Sequence, residues 1–276
     1  MIDLHIHTNC SDGDYSPKEI LNRVVEAGCN FFSVADHDNM DANEIILGEL
    51  KKRKSGVKFM TGVEMSSALE DKFLHLLCYN FDYTNEPIRK MMLKAAVLRK
   101  ERVISLFTHL EKKHNIIIPL CDREEILKKD IAGKPHIAKA AIKRGLTTLS
   151  EIDFAKKMLR VEDKKSIIDA RDVIAFAHEA GAFVSYAHPI LTQDNYGLDY
   201  EQLDAYTKKL KDLGVDAIEV FHSLHNEEQV EKYGAMAQRY GLKITCGSDF
   251  HSDKGDRKIG RVTKYGFVAG EKDIKL

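Results

Sequence analysis

The sequence contains few cysteines, and their arrangement argues against a disulfide framework or a zinc ribbon. There are five in 276 residues, and they are scattered, odd in number and without a CxxC pair: Cys10, Cys29, Cys78, Cys121 and Cys246. A set of this kind is typical of reduced thiols, so the sequence predicts a cytoplasmic protein.

Long hydrophobic runs are also missing. No apolar stretch approaches the roughly 18 residues of a membrane span, although 43% of the residues are hydrophobic, which is ordinary for a globular protein. No basic segment followed by an apolar core opens the sequence, so we expect neither a secretory signal nor a membrane partner. The length fits one large α/β domain or one domain with an insertion.

Charge is distributed unevenly along the chain. The formal net charge is −1, but residues 87–169 carry 20 Lys and Arg against 11 Asp and Glu, a net of +9, and the remainder carries 22 against 32, a net of −10. An acidic body suits a site of carboxylates that hold cations. A basic segment suits either an anionic substrate or a solvated helical surface. The acidic remainder argues against long duplex nucleic acid, which needs a continuous basic face.

The N-terminal stretch MIDLHIHTNCSDG carries the first residues of metal-ligand type. Apolar and polar residues alternate between positions 2 and 7, which is the period of a half-buried strand and places His5 and His7 on one side. Asp12 follows in a Ser-Asp-Gly turn just past the strand. Two imidazoles and a carboxylate therefore point to one metal site at this strand end, although so short a motif is weak by itself.

Beyond this stretch, predicted strands alternate with predicted helices. Ser16 and Pro17 begin the first helix as its N-cap and first residue. Further helices are predicted over 42–54, 170–179, 200–213 and 227–240, and strands over 31–35, 57–63, 73–79, 182–187, 217–221 and 243–246. This rhythm predicts a parallel sheet. About seven strands without a Gly-rich nucleotide-binding turn favour a closed (β/α) barrel, whose chemistry lies at the carboxyl ends of the strands.

Residues 87–169 interrupt the rhythm, because their pattern is helical throughout. We interpret them as an inserted basic helical subdomain within a barrel domain made of residues 1–86 and 170–276.

Nine residues of metal-ligand type lie at or near the ends of successive predicted strands: His5, His7, Asp12, His37, Glu64, His75, His188, Asp249 and His251. A barrel would gather them into one bowl. Imidazoles and carboxylates suit divalent Mn²⁺, Fe²⁺ or Zn²⁺. Nine ligands are too many for one ion and predict two or three, with a bridging carboxylate. Ions about 3.5–4 Å apart can hold a shared hydroxide and clamp a phosphoryl group during in-line displacement.

The motifs resemble those of the polymerase and histidinol phosphatase (PHP) superfamily. They follow one another over essentially the whole chain: HxH at 5–7, HTxxSDG at 7–13, ADHD at 35–38, GVE at 62–64, AHP at 187–189 and GSDFH at 247–251. The insertion contains GKPHIAKAA at 133–141 and an RxxR…L helix at 99–110. These resemble the subgroup that includes nucleoside 3′,5′-bisphosphate phosphatase and a short-RNA 5′→3′ exoribonuclease.

The resemblance implies an α/β fold, a distorted (β/α)₇ TIM-like barrel with a trinuclear metal site. One ion would be held by His5, His7, Glu64 and Asp249, a second by Glu64 as bridge with His75 and His188, and a third by Asp12, His37 and His251.

The resemblance also implies substrate contacts. Lys134 and His136 are the candidates for a terminal phosphate, although the family usually has arginine at position 134, and a lysine offers a point charge rather than a bidentate fork. His225 matches a family histidine near the leaving group, where it would bind phosphate or protonate the leaving oxygen. His222 precedes it by three residues.

These features predict a metal-dependent phosphoesterase in which a metal-bridged hydroxide attacks a nucleotide with two phosphates or the 5′ end of a short RNA. Two alternatives stay open. The basic insertion argues against a histidinol-phosphate-type phosphatase. The complete set of ligand positions argues against a non-catalytic metal-binding PHP module.

Overall fold

The computed structural model describes residues 1–53, 56–129, 131–159 and 166–276. The chain forms two compact units, the first made of Met1–Met92 and Asp169–Leu276 and the second of Leu93–Ile168. Apart from Ile168 of the sixth strand, the described strands lie in the first unit, and the described part of the second unit is mainly helical.

The described residues form nine strands: β1 (Ile2–Asp3), β2 (Phe31–Phe32), β3 (Lys58–Phe59), β4 (Gly62–Leu69), β5 (Lys72–Tyr79), β6 (Ile168–Asp169), β7 (Phe183–Tyr186), β8 (Ala217–His222) and β9 (Lys243–Gly247). They pair as a three-stranded sheet in the order β1-β2-β3 and a six-stranded sheet in the order β6-β4-β5-β7-β8-β9. β1, β2 and β3 run parallel, as do β7, β8 and β9.

The two sheets are joined at both of their seams by a few backbone contacts, and the described strands do not form one continuous closed ladder. At one seam the Leu4 N–H donates to the Cys246 carbonyl at 3.0 Å, and Ile6 bridges Phe250. At the other seam His37 forms an isolated parallel bridge with Glu64. Both seams therefore pass through the HxH, ADHD, GVE and GSDFH motifs.

The prediction of a wholly parallel sheet is wrong for β5, which pairs antiparallel with both β4 and β7. Only Glu70 and Asp71 connect β4 to β5. A parallel pairing would require a crossover of about a dozen residues. As a consequence His75 lies within the reversed strand, opposite Ser66, and not at a carboxyl strand end.

The helices of the described residues are α1 (Pro17–Glu26), α2 (Asp41–Arg53), α3 (Glu86–His114), α4 (Leu120–Leu127), α5 (Lys134–Lys143), α6 (Glu151–Met158), α7 (Ala170–Glu179), α8 (Pro189–Tyr196), α9 (Tyr200–Asp212) and α10 (Glu227–Tyr240). The predicted bounds of α7 and α10 are confirmed. The predicted end of α2, Lys54, lies outside the described residues. In the parts described, no helix combines the length and apolarity needed to cross a membrane; the cytoplasmic location stays a prediction.

The predicted start of α1 is confirmed at the level of its hydrogen bonds. The Ser16 hydroxyl accepts from the Glu19 backbone, while the Glu19 carboxylate accepts from the Ser16 backbone N–H at 2.8 Å. This capping box satisfies donors that the first helical turn leaves unpaired, with Pro17 directly after the cap.

The core of the first unit has two parts. One includes the fully buried Leu4, Leu77 and Tyr79. The other packs the apolar faces of α1 and α2 against the first strands, and its buried members include Ile6, Ile20, Leu21, Val24, Phe32 and Ile46. These layers hold the strand ends in place, which fixes the positions of the side chains that follow them.

The second unit has a separate core, in which α3, α5 and α6 contribute buried side chains such as Phe107, Ile137 and Phe154. Arg144, directly after α5, donates to the Asp122 carboxylate of α4 at 2.7 Å. This unit thus has its own packing and its own buried carboxylate contact.

Candidate metal centre

Two histidines and two carboxylates form the buried centre of the site. His5 Nε2 lies 3.2 Å from Glu64 Oε2, and His7 Nε2 lies 3.3 Å from the same oxygen. Asp249 Oδ1 lies 3.1 Å from His7 Nε2 and 3.6 Å from His5 Nε2. His5, His7 and Glu64 are fully buried, and Asp249 nearly so. Both histidines therefore face the same Glu64 oxygen.

Several atoms of this centre face one another without forming hydrogen bonds. Nε2 of His5, Nε2 of His7, Nδ1 of His37 and Oε2 of Glu64 are buried and have no hydrogen-bond partner in the part of the chain described. Buried polar atoms are rarely left unpaired, because their desolvation is costly. Nitrogen and oxygen lone pairs that converge in this way fit a divalent cation of the Mn²⁺, Fe²⁺ or Zn²⁺ class.

Glu64 lies between two parts of the cluster. Its Oε1 is 2.8 Å from His75 Nδ1 and 2.9 Å from His188 Nε2. Its Oε2 is 3.1 Å from His37 Nδ1 and faces the pair His5 and His7. The two oxygens of one carboxylate therefore serve different sets of imidazoles, as a bridging ligand must.

The outer part of the cluster is half-exposed. Asp12 Oδ1 is 3.2 Å from His251 Nε2, and Asp12 Oδ2 is 3.8 Å from His37 Nε2. The Asp12 side chain is 37% exposed, whereas those of His5 and His7 are 0% exposed. A substrate can therefore reach the cluster at the side where Asp12, His37, His75 and His251 lie.

All nine predicted ligands thus lie in one connected cluster, in which distance alone gives overlapping sets. Sets whose ligand atoms all lie within 4.8 Å of one another are His7, Asp12, His37 and His251; His5, His7 and Glu64; His5, His222 and Asp249; and His37, Glu64 and His75. His188 joins through Glu64 and through His75, whose Nδ1 lies 3.3 Å from His188 Nε2. His222, to which the sequence assigned no role, is fully buried with its Nε2 3.3 Å from Asp249 Oδ2.

Backbone conformations beside the cluster are unusual. Asp38, His188 and Asp249 have positive φ angles of 47°, 26° and 52°, a region that residues other than glycine rarely adopt. Such strain persists only where surrounding contacts hold it. Here the Asp249 N–H donates to the His5 carbonyl at 2.7 Å.

Sequence reasoning missed Glu219, a fully buried carboxylate on β8. The His5 Nδ1–H donates to Glu219 Oε1 at 3.0 Å, and the His188 backbone N–H donates to Oε2 at 2.7 Å. A carboxylate partner on one ring nitrogen fixes the tautomer and leaves the other nitrogen for a metal. The only sequence signal was its position on a predicted strand three residues before His222.

The sequence identified Asp36 only as part of the ADHD motif. In the structure its carboxylate accepts hydrogen bonds from the loop that follows His7. Its carboxylate accepts from the Thr8 N–H at 2.7 Å, from the Thr8 hydroxyl at 2.6 Å and from the Ser11 hydroxyl. These bonds hold the loop that carries Asp12. Asp36 therefore positions a candidate ligand without facing the cluster itself.

The electrostatics show an excess of negative charge. Burial lowers the pKa of His7, but Asp249 and Glu64 outweigh it and raise the pKa to about 10. Burial dominates at His37, whose pKa falls to about 3. Burial also raises the pKa of Asp12, yet the neighbouring imidazoles hold it below its usual range. Carboxylates that stay ionised in a buried site need cations, which metal ions supply.

His225 is fully buried beside this cluster. Its Nδ1–H donates to the Val220 carbonyl at 2.9 Å, and its ring contacts those of His222 and Tyr233. Burial lowers its pKa to about 3, so it is neutral at neutral pH, which does not favour the role of proton donor. Its contact with substrate stays a prediction. Lys134 and His136 lie in the first turn of α5, and their roles also stay predictions.

Comparisons with known proteins cover most of the chain. The PHP domain family matches residues 3–201. A 5′-3′ exoribonuclease of Haemophilus influenzae is 27% identical over 268 residues, covering 94% of this chain and 93% of the relative. A 3′,5′-nucleoside bisphosphate phosphatase of Chromobacterium violaceum is 23% identical over 267 residues, covering 95% and 91%.

A solved structure from Bifidobacterium adolescentis, described as a metal-dependent phosphoesterase, superposes with a TM-score of 0.77. It is 26% identical, and the match covers 99% of this chain and 93% of that one. This likeness confirms the predicted fold class, an α/β fold of the distorted TIM-like barrel type.

Proposed function

This chain belongs to the PHP domain family, as its motifs indicate, and is a metal-dependent phosphoesterase; we propose that it hydrolyses a small nucleotide with two phosphates or a short 5′-phosphorylated RNA. The observation that carries the proposal is the convergence of imidazoles and carboxylates around Glu64. The enzyme class sets aside the alternative of a non-catalytic module.

We propose that two or three divalent ions, Mn²⁺, Fe²⁺ or Zn²⁺, are held by the nine residues in the grouping that the family resemblance implies. Bound ions of this kind polarise phosphoryl oxygens and lower the pKa of an attacking water. The orphaned Nε2 atoms of His5 and His7 and the two-sided contacts of Glu64 support this assignment.

The chain's own residues have three tasks in this proposal. Glu219 holds the His5 ring so that Nε2 faces inward. Asp36 holds the loop of Asp12 at the half-exposed side. Asp249 directs Oδ1 towards the histidine pair. A site organised before substrate binds does not have to reorganise as charge develops on the transferring phosphoryl group.

The substrate class follows from chemistry that the two named relatives share. A nucleoside 3′,5′-bisphosphate and the first nucleotide of a 5′-phosphorylated RNA both carry one phosphate group on each side of a ribose. One phosphate would react at the metal centre, and the other would need a cationic contact. The net charge of +9 over residues 87–169, with Lys134 and His136 as proposed contacts, supports that second contact. His225 is proposed to lie near the leaving group.

The test is hydrolysis by purified protein loaded with Mn²⁺, given adenosine 3′,5′-bisphosphate, a 5′-phosphorylated short RNA and histidinol phosphate in parallel. We expect phosphate release from the bisphosphate or mononucleotide release from the RNA. Glu64→Gln is the inactive control, because it removes the shared carboxylate. A clear preference for histidinol phosphate would contradict the proposal and favour the histidinol-phosphate-type alternative.

A further inference from the structure

The two carboxylate oxygens of Asp249 have different surroundings. Oδ1 faces Nε2 of His7 at 3.1 Å. Oδ2 lies 3.3 Å from His222 Nε2 and forms an ion pair with Nη1 of Arg257. The same Nη1 donates to the Asp249 backbone carbonyl at 2.9 Å. A single guanidinium nitrogen therefore holds both the backbone and the side chain of a proposed metal ligand.

The other two nitrogens of the Arg257 guanidinium, Nη2 and Nε, make no hydrogen bond to Asp249. The Arg257 side chain is 30% exposed, whereas that of Asp249 is 7% exposed. Within the described residues, both hydrogen bonds of Arg257 to Asp249 use Nη1, and Nη2 and Nε make none. A part-exposed permanent cation, with two of its three nitrogens making no hydrogen bond to Asp249, thus lies next to the metal cluster.

The loop that carries Arg257 is held at both ends by one buried carboxylate. Asp3 accepts from the Ser248 N–H at 2.9 Å and from the Gly260 N–H at 2.7 Å. In the middle of the loop, Asp253 accepts from the Tyr15 hydroxyl at 2.7 Å and pairs with Arg23 at 2.9 Å.

These contacts leave the loop little freedom to move the guanidinium. Side chains that must meet a reacting group are effective when their supports hold them in place beforehand. The anchoring of this segment therefore suits a residue that acts on a ligand.

We propose that Arg257 binds the phosphoryl group of the substrate through its Nη2 and Nε edge while Nη1 holds Asp249. The planar guanidinium matches two phosphate oxygens at once, which a lysine ammonium does not. This inference rests on the proposed function only in requiring a phosphate ester as substrate, whatever the rest of that substrate is.

The test separates phosphate binding from support of the metal site. Arg257→Met and Arg257→Lys are compared with Arg261→Met, a control that removes an exposed arginine of the following segment. Metal content is measured by elemental analysis. The dissociation constant of inorganic phosphate is then measured by calorimetry on each Mn²⁺-loaded protein.

We expect both Arg257 variants to weaken phosphate binding by about tenfold or more, the loss of one charge-assisted bidentate contact, and Arg261→Met to leave it unchanged. If Arg257→Met also loses metal, Arg257→Lys decides, because it keeps a cation beside Asp249. Wild-type phosphate affinity in a metal-loaded Arg257 variant, or no phosphate binding by the wild-type protein, would overturn the proposal.

This readout is independent of the nucleotide. A wild-type protein that hydrolyses neither the bisphosphate nor the RNA, but binds phosphate in an Arg257-dependent way, would contradict the proposed substrate and support the role of Arg257. Hydrolysis of the bisphosphate by a protein whose phosphate affinity does not depend on Arg257 would support the proposed substrate and contradict the role of Arg257.

Discussion

Glu219 accepts a hydrogen bond from Nδ1 of His5 at 3.0 Å, and both side chains are fully buried. The other oxygen of Glu219 accepts the backbone N–H of His188 at 2.7 Å. One carboxylate on β8 therefore orients two candidate ligands that belong to different strands.

Replacement of Glu219 by Gln should weaken metal binding without unfolding the protein. The carboxylate of Glu219 accepts one hydrogen bond from His5 and one from His188 through two anionic oxygens. An amide has only one oxygen and no charge, so it would hold the His5 ring less firmly. We expect metal affinity to fall by about tenfold to a hundredfold, the range for such supporting residues. Metal titration of the stripped protein measures it, and Glu231→Gln, on the exposed part of α10, is the control. Unchanged affinity in Glu219→Gln would contradict the orienting role.

Replacement of Glu64 by Gln should remove more than one metal equivalent. Its Oε1 faces His75 and His188, and its Oε2 faces His37, so a neutral amide would point an N–H donor at one of these sets. We expect hydrolysis to fall by several orders of magnitude. Metal content per chain and phosphate release are the measurements. Glu271→Gln is the control, because Glu271 is an exposed residue that pairs with Lys58. Loss of a single equivalent would mean that Glu64 does not bridge.

Replacement of Asp12 or His37 by Ala should remove most phosphatase activity and leave the fold intact. Both side chains are part-exposed at the open side of the cluster, so their truncation leaves no cavity in the core. Circular dichroism and the thermal midpoint monitor the fold, while phosphate release monitors the reaction. Activity retained after loss of one metal would rule out a mechanism that needs three ions.

Gly247→Ala should destabilise the protein and distort the centre. A Cβ at this position would lie 2.0 Å from Cβ of His5 and 2.9 Å from Oε1 of Glu219, and no flexible chain end is there to move aside. We expect a loss of about 1–3 kcal/mol in the free energy of unfolding, as for other overpacked sites.

Gly255 provides a matched control for that substitution, because a Cβ there would meet nothing within 4 Å. Denaturant unfolding of the metal-stripped proteins separates packing from metal binding. Equal stability of Gly247→Ala and Gly255→Ala would show that β9 can move away from His5.

Removal of metal should lower the thermal midpoint. The buried carboxylates stay ionised in the cluster, and Asp249 and Glu64 raise the pKa of His7 to about 10 against the effect of burial, so the empty centre retains unbalanced charge. An ion at a hundred times its dissociation constant stabilises the folded state by about 2.7 kcal/mol. Thermal scans with chelator and with Mn²⁺ test this, and identical midpoints would contradict binding in the folded state.

The sequence by itself determined most of the helices outside the insertion, although not α8, and the identity of the ligand-type residues. The bounds of α7 and α10 follow from local signals such as the apolar period, because a helix satisfies its hydrogen bonds within a few residues. The nine ligand-type residues were visible because histidine and carboxylate motifs follow predicted strands in order, and the PHP resemblance supplied their proposed grouping.

The tertiary structure decided what depends on distant parts of the chain. The reversal of β5 came from a two-residue turn and from pairing with β7, a strand about a hundred residues further on. Glu219 meets His5 across 214 positions, and Asp3 holds both ends of the loop in which Arg257 contacts Asp249. Local periodicity contains no information on such pairs, because the packing of strands from separate segments creates them.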